Sequence, residues 1–235
     1  MSVDRPLSRR AAEFSVLALI LAVGAAARLW YLRAGIPHAV GIDEPQIVDR
    51  ALRILRTGDW NPHLFDYPTL VIYLHAMVAI ARFLWGALQG EWASLDAYSI
   101  ASVYAAGRVV AAAIGVATVW LTYKLGAELS SRRVALVAAA QIAVFPLHVR
   151  ESHFILTDVP MTALTTLTLW LSVRAARLAT VRGYASAGAA AGLAAAAKYN
   201  GGIALVAVVA AWLVGERSSP DRLRKLGAIA GAAAL

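Results

Sequence analysis

Long apolar runs alternate with short polar breaks along the whole chain. The first runs from Phe14 to Arg33; others cover about 98–125, 134–149, 158–176, 184–197 and 201–214. A helix that crosses a bilayer takes about 20 mostly apolar residues. The pattern therefore predicts six spans, of which 184–197 and 201–214 are short. Between the first and second spans the period changes. Ile47, Val48, Ala51, Leu52, Ile54 and Leu55 recur on one helical face, and Asp49, Arg50, Arg53 and Arg56 take the other. This predicts an amphipathic helix over 44–57 lying on the membrane surface. Asp43 is placed as its N-cap, with Gln46 at capping-box spacing, and Gly58 as its stop. After the turn Asp59-Trp60-Asn61-Pro62, a second helix is expected over 68–88.

Whether 68–88 crosses is decided by charge, because cytoplasmic loops carry an excess of Lys and Arg. If it stays half-embedded on the outer side, four basic clusters face the cytoplasm: Arg5, Arg9 and Arg10; Arg132 and Arg133; Arg174, Arg177 and Arg182; and Arg217, Arg222, Arg224 and Lys225. The acidic loop with Asp43, Glu44, Asp59, Asp66, Glu91 and Asp96 then lies outside. A crossing would invert every cluster after it. The non-crossing arrangement also puts Asp43, the His148–Asp158 loop and Lys198 on one face. A basic start and Ala25-Ala26-Ala27 have the look of a cleaved secretory signal, but the apolar run continues through Leu29, Trp30 and Tyr31, which favours an uncleaved anchor. The run from Gly227 to Leu235 is too short to span, so the chain reads as the N-terminal part of a longer protein.

Composition sharpens the class. The chain is 60% hydrophobic and 15% charged, against about 45–50% and about 25% in soluble domains. An all-α polytopic membrane protein is expected, as one domain over 1–235. With no cysteine, disulfides and Cys-based metal sites are excluded. The net charge of +8 is scattered between apolar runs, which argues against a nucleic-acid partner. Gly188 and Gly192 have small-xxx-small spacing, and the Ala-rich helix that holds them is expected to be buried in the bundle.

Four constellations could carry chemistry. Asp43-Glu44 offers a carboxylate at the membrane edge, either as general base for an acceptor hydroxyl or as a cap with a dipole-complementing neighbour. Arg108 sits within an apolar run, where an ionisable group signals function by default: a phosphate clamp or an intramembrane ion pair. His148, Arg150, Glu151, His153 and Asp158 gather in one loop. They match no strong ligand pattern, so a divalent metal is the weaker reading beside sugar or phosphate contact, or a hydrated loop in which Asp158 caps the next span. Lys198-Tyr199-Asn200 divides two apolar runs, with Lys198 either snorkelling or meeting phosphate.

Asp-Glu after the first span, then ALRILRTGDWNPHLFDYPTLVIYL, GRVVAAAIGVATVWLTYKLG, FPLHVRESHFILTDVP and GLAAAAKYNGG in this order, resemble the dolichyl-phosphate-mannose–protein mannosyltransferase-like glycosyltransferases and their aminoarabinose-transferase relatives. The resemblance implies a C-type glycosyltransferase helix bundle with interfacial helices in the first outer loop. It implies a polyprenyl-phosphate-linked sugar as donor, a glycan, lipid or protein as acceptor, and a site facing away from the cytoplasm. It carries catalysis onto Asp43 and Glu44, donor phosphate onto Arg108, Lys198 and Arg150, and the substrate pocket onto His148, His153, Asp158, Tyr67 and Tyr199. No cofactor is firmly implied. Tyr67-Pro68-Thr69-Leu70 departs from the family's usual double-proline segment. A transporter or flippase of a lipid-linked saccharide is the rival. It would place ionisable groups near the midplane, with inverted repeats, and neither is evident. A non-catalytic membrane scaffold would leave Arg108 and the acidic pair without a task.

Overall fold

The computed structural model describes residues 5–36, 41, 43–215 and 221–234, with side chains from residue 11 onward. Among the described residues ten α-helices follow in order: α1 Arg5–Leu29, α2 Glu44–Thr57, α3 Leu70–Leu88, α4 Ile100–Leu129, α5 Arg132–Val144, α6 Pro146–Glu151, α7 Asp158–Leu178, α8 Val181–Ala197, α9 Leu205–Gly215 and α10 Arg222–Ala233. A 3-10 turn, Tyr199–Ala204, joins α8 to α9. No strand occurs among the described residues. Arg217 lies outside them.

Among the described residues three helices are long and apolar enough to cross a membrane: Ala11–Leu29 within α1; α4; and α3, which the charge pattern keeps on the outer side. The remaining segments expected to span are shorter or more polar. α5 has 13 residues, a length of about 20 Å at 1.5 Å per residue, against a hydrocarbon core of about 30 Å. Its expected end at 149 is cut back because Pro146 lacks the N–H that would continue the ladder and its ring crowds the previous turn. The chain restarts as α6. The run expected over 201–214 likewise begins with the 3-10 turn and becomes α9.

α4 is the hub, packing on α1, α3, α5 and α7. α2 keeps its predicted boundaries. Gly58 ends it in the left-handed region, φ +71°, its N–H returning to the Ile54 carbonyl. Its apolar face, however, does not rest on lipid. Ile47, Val48, Ala51 and Ile54 are each 2% exposed or less, covered by Val71, Ile72, Ala76 and Ala79 of α3 and by Val103 and Tyr104 of α4. Periodicity shows that a face is buried, not what buries it.

α3 is tied to its neighbours along its length. Just before it, Phe65 accepts a hydrogen bond from Tyr199 past the end of α8, 3.0 Å. At its middle, Ala79 accepts from Tyr98, 3.0 Å, and further on Phe83 stacks on Trp92, Tyr98 and Trp92 both preceding α4. In between, His75 lies against Gly107, in the first third of α4. α8 and α10 approach closely: a Cβ on Gly188 would fall 2.6 Å from the Ile229 carbonyl oxygen. Gly188 and Gly192 thus serve as the small surface that lets two backbones touch.

Candidate active site

Asp43 and Glu44 open α2 and then part company. Glu44 is 0% exposed and Arg108 1%. The two form a bidentate pair, Nε to Oε1 at 2.8 Å and Nη2 to Oε2 at 2.7 Å. Arg108 Nη1 also donates to the carbonyls of Leu32, 3.1 Å, and Ala34, 2.8 Å. Glu44 Oε1 accepts the Ile155 N–H, 3.0 Å. Four of the five guanidinium hydrogens are thereby used. Of the two roles open for Arg108 in the sequence, the geometry is that of the intramembrane ion pair. Glu44 is its counter-ion, sealed from any substrate. Glu44, enclosed in this way, does not reach a ligand as a catalytic group, whereas Arg108 also lines the cavity of about 480 Å³ that Arg150 and His153 border. The pair ties α2, α4, the turn after α1 and the loop before α7 at one point.

Asp43 is free of that knot. It occupies the N-cap position, but its φ of −96° and ψ of −10° are helical and its side chain makes no cap bond. A cap needs extended backbone to turn its oxygen onto the next N–H groups, so the expected capping box does not form. Instead the Asp43 carboxylate lies near enough to the Tyr67 phenol to raise its pKa. Burial raises the pKa of that phenol, Asp43 raises it further, Lys198 pulls it down, and Asp158 adds a smaller push up. Tyr67 thus stands where Asp43, Lys198 and Asp158 converge, protonated and able to donate. Lys198 Nζ lies 2.7 Å from Asp158 Oδ1, with side-chain exposures of 30% and 47%, so this pair is open to solvent and to ligand. Asp158 is the first residue of α7 rather than its cap, which is Thr157. Tyr67 and Tyr199 both line a cavity of about 590 Å³ with Trp60, Asn61 and Ala196.

α6 has two faces. His148 and Glu151 line a cavity of about 520 Å³ with Asp158 and Thr162 of α7 and Ile142 and Phe145 from the end of α5. Arg150 and His153 line another, about 480 Å³, against Tyr31 and Leu32. The loop residues read together in the sequence are therefore split. Arg150 pairs with its neighbour Glu151 and does not line the cavity that holds Asp158. His153 is bonded to the carbonyls of Trp30, 2.9 Å, and Val149, 2.8 Å, which anchors the loop to the end of α1. Among the described residues no group of three His, Asp or Glu side chains is arranged to hold a metal.

One residue had gone unread. Arg28, 0% exposed, donates from α1 to Gly24 O, 2.9 Å, Ala143 O, 2.9 Å, and Ile142 O, 3.0 Å, and meets His148 Nδ1 at 2.9 Å. The signal was available: it is an arginine inside an apolar run, as Arg108 is.

Helices long and apolar enough to cross a bilayer define an integral membrane protein. The family model for dolichyl-phosphate-mannose-protein mannosyltransferase matches residues 97–235, more than half of the chain, and the chain belongs to that family. Among solved structures it is similar to the S. cerevisiae protein O-mannosyltransferase Pmt1-Pmt2 complex bound to the sugar donor, with a TM-score of 0.72 and 22% identity. At that identity the likeness speaks for the fold. The match covers 94% of this chain and 32% of the other, so the chain spans about a third of the length of that structure. No curated protein matches the sequence.

Proposed function

We propose that this chain forms the catalytic end of a membrane glycosyltransferase that moves a sugar from a polyprenyl-phosphate carrier to an acceptor hydroxyl. The acceptor is a glycan, a lipid or a protein, and the site faces away from the cytoplasm in a bacterial-type inner membrane. Asp43 takes the hydroxyl proton. The resulting oxygen attacks the anomeric carbon, the bond from that carbon to the phosphate oxygen breaks with inversion, and the electron pair leaves with the lipid phosphate. Lys198 lies where it can meet the developing phosphate charge, which fixed cations stabilise strongly in a dry site. Glu44 and Arg108 hold Asp43 in place from behind.

The observation that carries this reading is the bond from the Ile155 N–H to Glu44, 3.0 Å, which sets the start of α2, with Asp43, beside the approach to α7, where Lys198 pairs with Asp158 at 2.7 Å. The Tyr199 hydroxyl, one residue on from Lys198, reaches the Phe65 carbonyl at 3.0 Å and lines the sugar-sized cavity with Tyr67. The test is transfer by the full-length protein in detergent, with dolichyl-phosphate-mannose as donor. Asp43→Asn is expected to lower turnover by about 10²–10⁴, the usual reach of general-base catalysis, while the protein still purifies as a folded species. Turnover like wild type would overturn the assignment. Transfer in detergent also excludes a flippase, which needs two compartments.

A further inference from the structure

The break between α5 and α6 leaves carbonyls without partners. Ile142 O would accept from the N–H of residue 146, which is proline, and Ala143 O loses its partner as the helix ends. Arg28 fills both vacancies from another helix. Small residues make the room: a Cβ on Gly115 of α4 would lie 2.8 Å from Arg28 Nε and 2.9 Å from its Cδ.

The same guanidinium fixes a tautomer. Arginine only donates, so His148 Nδ1, 2.9 Å from Nη2, must be the acceptor. The hydrogen of the neutral ring is then on Nε2. That atom is buried and has no partner, and the residue lines the cavity shared with Glu151, Asp158 and Thr162. Burial first, and the Arg28 cation second, hold the His148 imidazole down to about 4. The charged groups around it are Arg28 from α1, Glu151 from α6 itself and Asp158 from α7. Ser152 gives its hydroxyl hydrogen to the His148 carbonyl, 2.6 Å.

We propose that Arg28 is a positioning residue that presents His148 Nε2–H as a fixed donor to a hydroxyl or ring oxygen of the transferred sugar. Two carboxylates line the cavity, so it suits a neutral polyol, and the phosphate belongs toward Lys198. This rests on the glycosyltransferase reading above and adds to it the sugar subsite and the residue that sets it.

The experiment measures KM and kcat of the full-length protein for dolichyl-phosphate-mannose between pH 5 and 8. In wild type, His148 contributes no pH dependence to KM over this range. Arg28→Met frees the ring to take either tautomer, so KM is expected to rise about twofold, as when half the molecules carry the hydrogen on Nδ1. Arg28→Met/His148→Gln, which supplies an amide N–H near the Nε2 position whatever its neighbours, should bring KM back toward that of wild type. A merely structural defect at Arg28 would leave the double variant no better than the single one, and that outcome overturns the proposal. Should Arg28→Met fail to fold, the pair His148→Gln and His148→Leu decides. The first should keep KM within about threefold and the second raise it about tenfold with kcat held; equal KM values overturn the proposal. Absence of transfer by wild type from any of a panel of polyprenyl-phosphate sugars would instead refute the glycosyltransferase reading itself.

Discussion

Removing one member of the Glu44–Arg108 pair leaves a bare charge in a place closed to water. Glu44→Ala or Arg108→Ala is expected to cost about 3–5 kcal/mol, and a double change to apolar side chains of similar volume much less. Thermal unfolding of the purified protein in detergent reads the difference. Asp43, one residue earlier, should behave in the opposite way: Asp43→Asn should leave melting nearly unchanged while turnover collapses. This division of labour was not legible in the sequence. Asp43 and Glu44 look alike there, and successive residues at a helix start point about 100° apart. Only the fold shows that one direction leads to Arg108 and the other to Tyr67. For Arg108 the sequence did pose the right pair of alternatives. For Tyr67 it offered only the family resemblance, since nothing local couples it to Asp43. Its raised pKa has a consequence at high pH. The unfolded chain loses the phenolic proton first, near 10, so folding stability falls as pH rises above that value. Tyr67→Phe should flatten this alkaline loss in pH-dependent melting.

Among the elements, α2 was read with its boundaries intact because each signal was local: the 3.6-residue period, Pro45 in the first turn and Gly58 at the end. Nothing lies within 4 Å of a Cβ built on Gly58, so Gly58→Ala tests backbone alone. It should destabilise by about 1–2 kcal/mol, the left-handed penalty of an L residue, with activity kept in what remains folded. α5 was overextended to 149 because its apolar character continues past the point where Pro146 ends the hydrogen-bond ladder. Composition there says membrane while backbone chemistry says stop, and backbone chemistry prevails. The partner of α2 was also beyond reach. Lipid and a neighbouring helix present the same apolar surface, so an amphipathic pattern does not distinguish them.

At the scale of the whole molecule, the open question is the side on which each loop lies. α3 has the length and hydropathy of a span, whereas the distribution of basic residues favours a helix that stays on the outer side. The chain has no cysteine, so single cysteines can be placed cleanly. Glu91→Cys and His153→Cys should react with a membrane-impermeant maleimide on intact cells, and Arg132→Cys only after the membrane is opened. Labelling of Arg132→Cys from outside would show that α3 crosses.

Arg28 bears on how the molecule is made. Of its four acceptors, only Gly24 O is on its own helix. The other three arrive more than a hundred residues later in synthesis. When the first helix leaves the ribosome it therefore carries a cation with no mate, held at the rim of the bilayer by water and headgroups. It can settle inward only when the hairpin that holds Pro146 has been threaded beside it. Biogenesis of this protein should accordingly include a late docking step, in which an early helix waits for a later one to complete it.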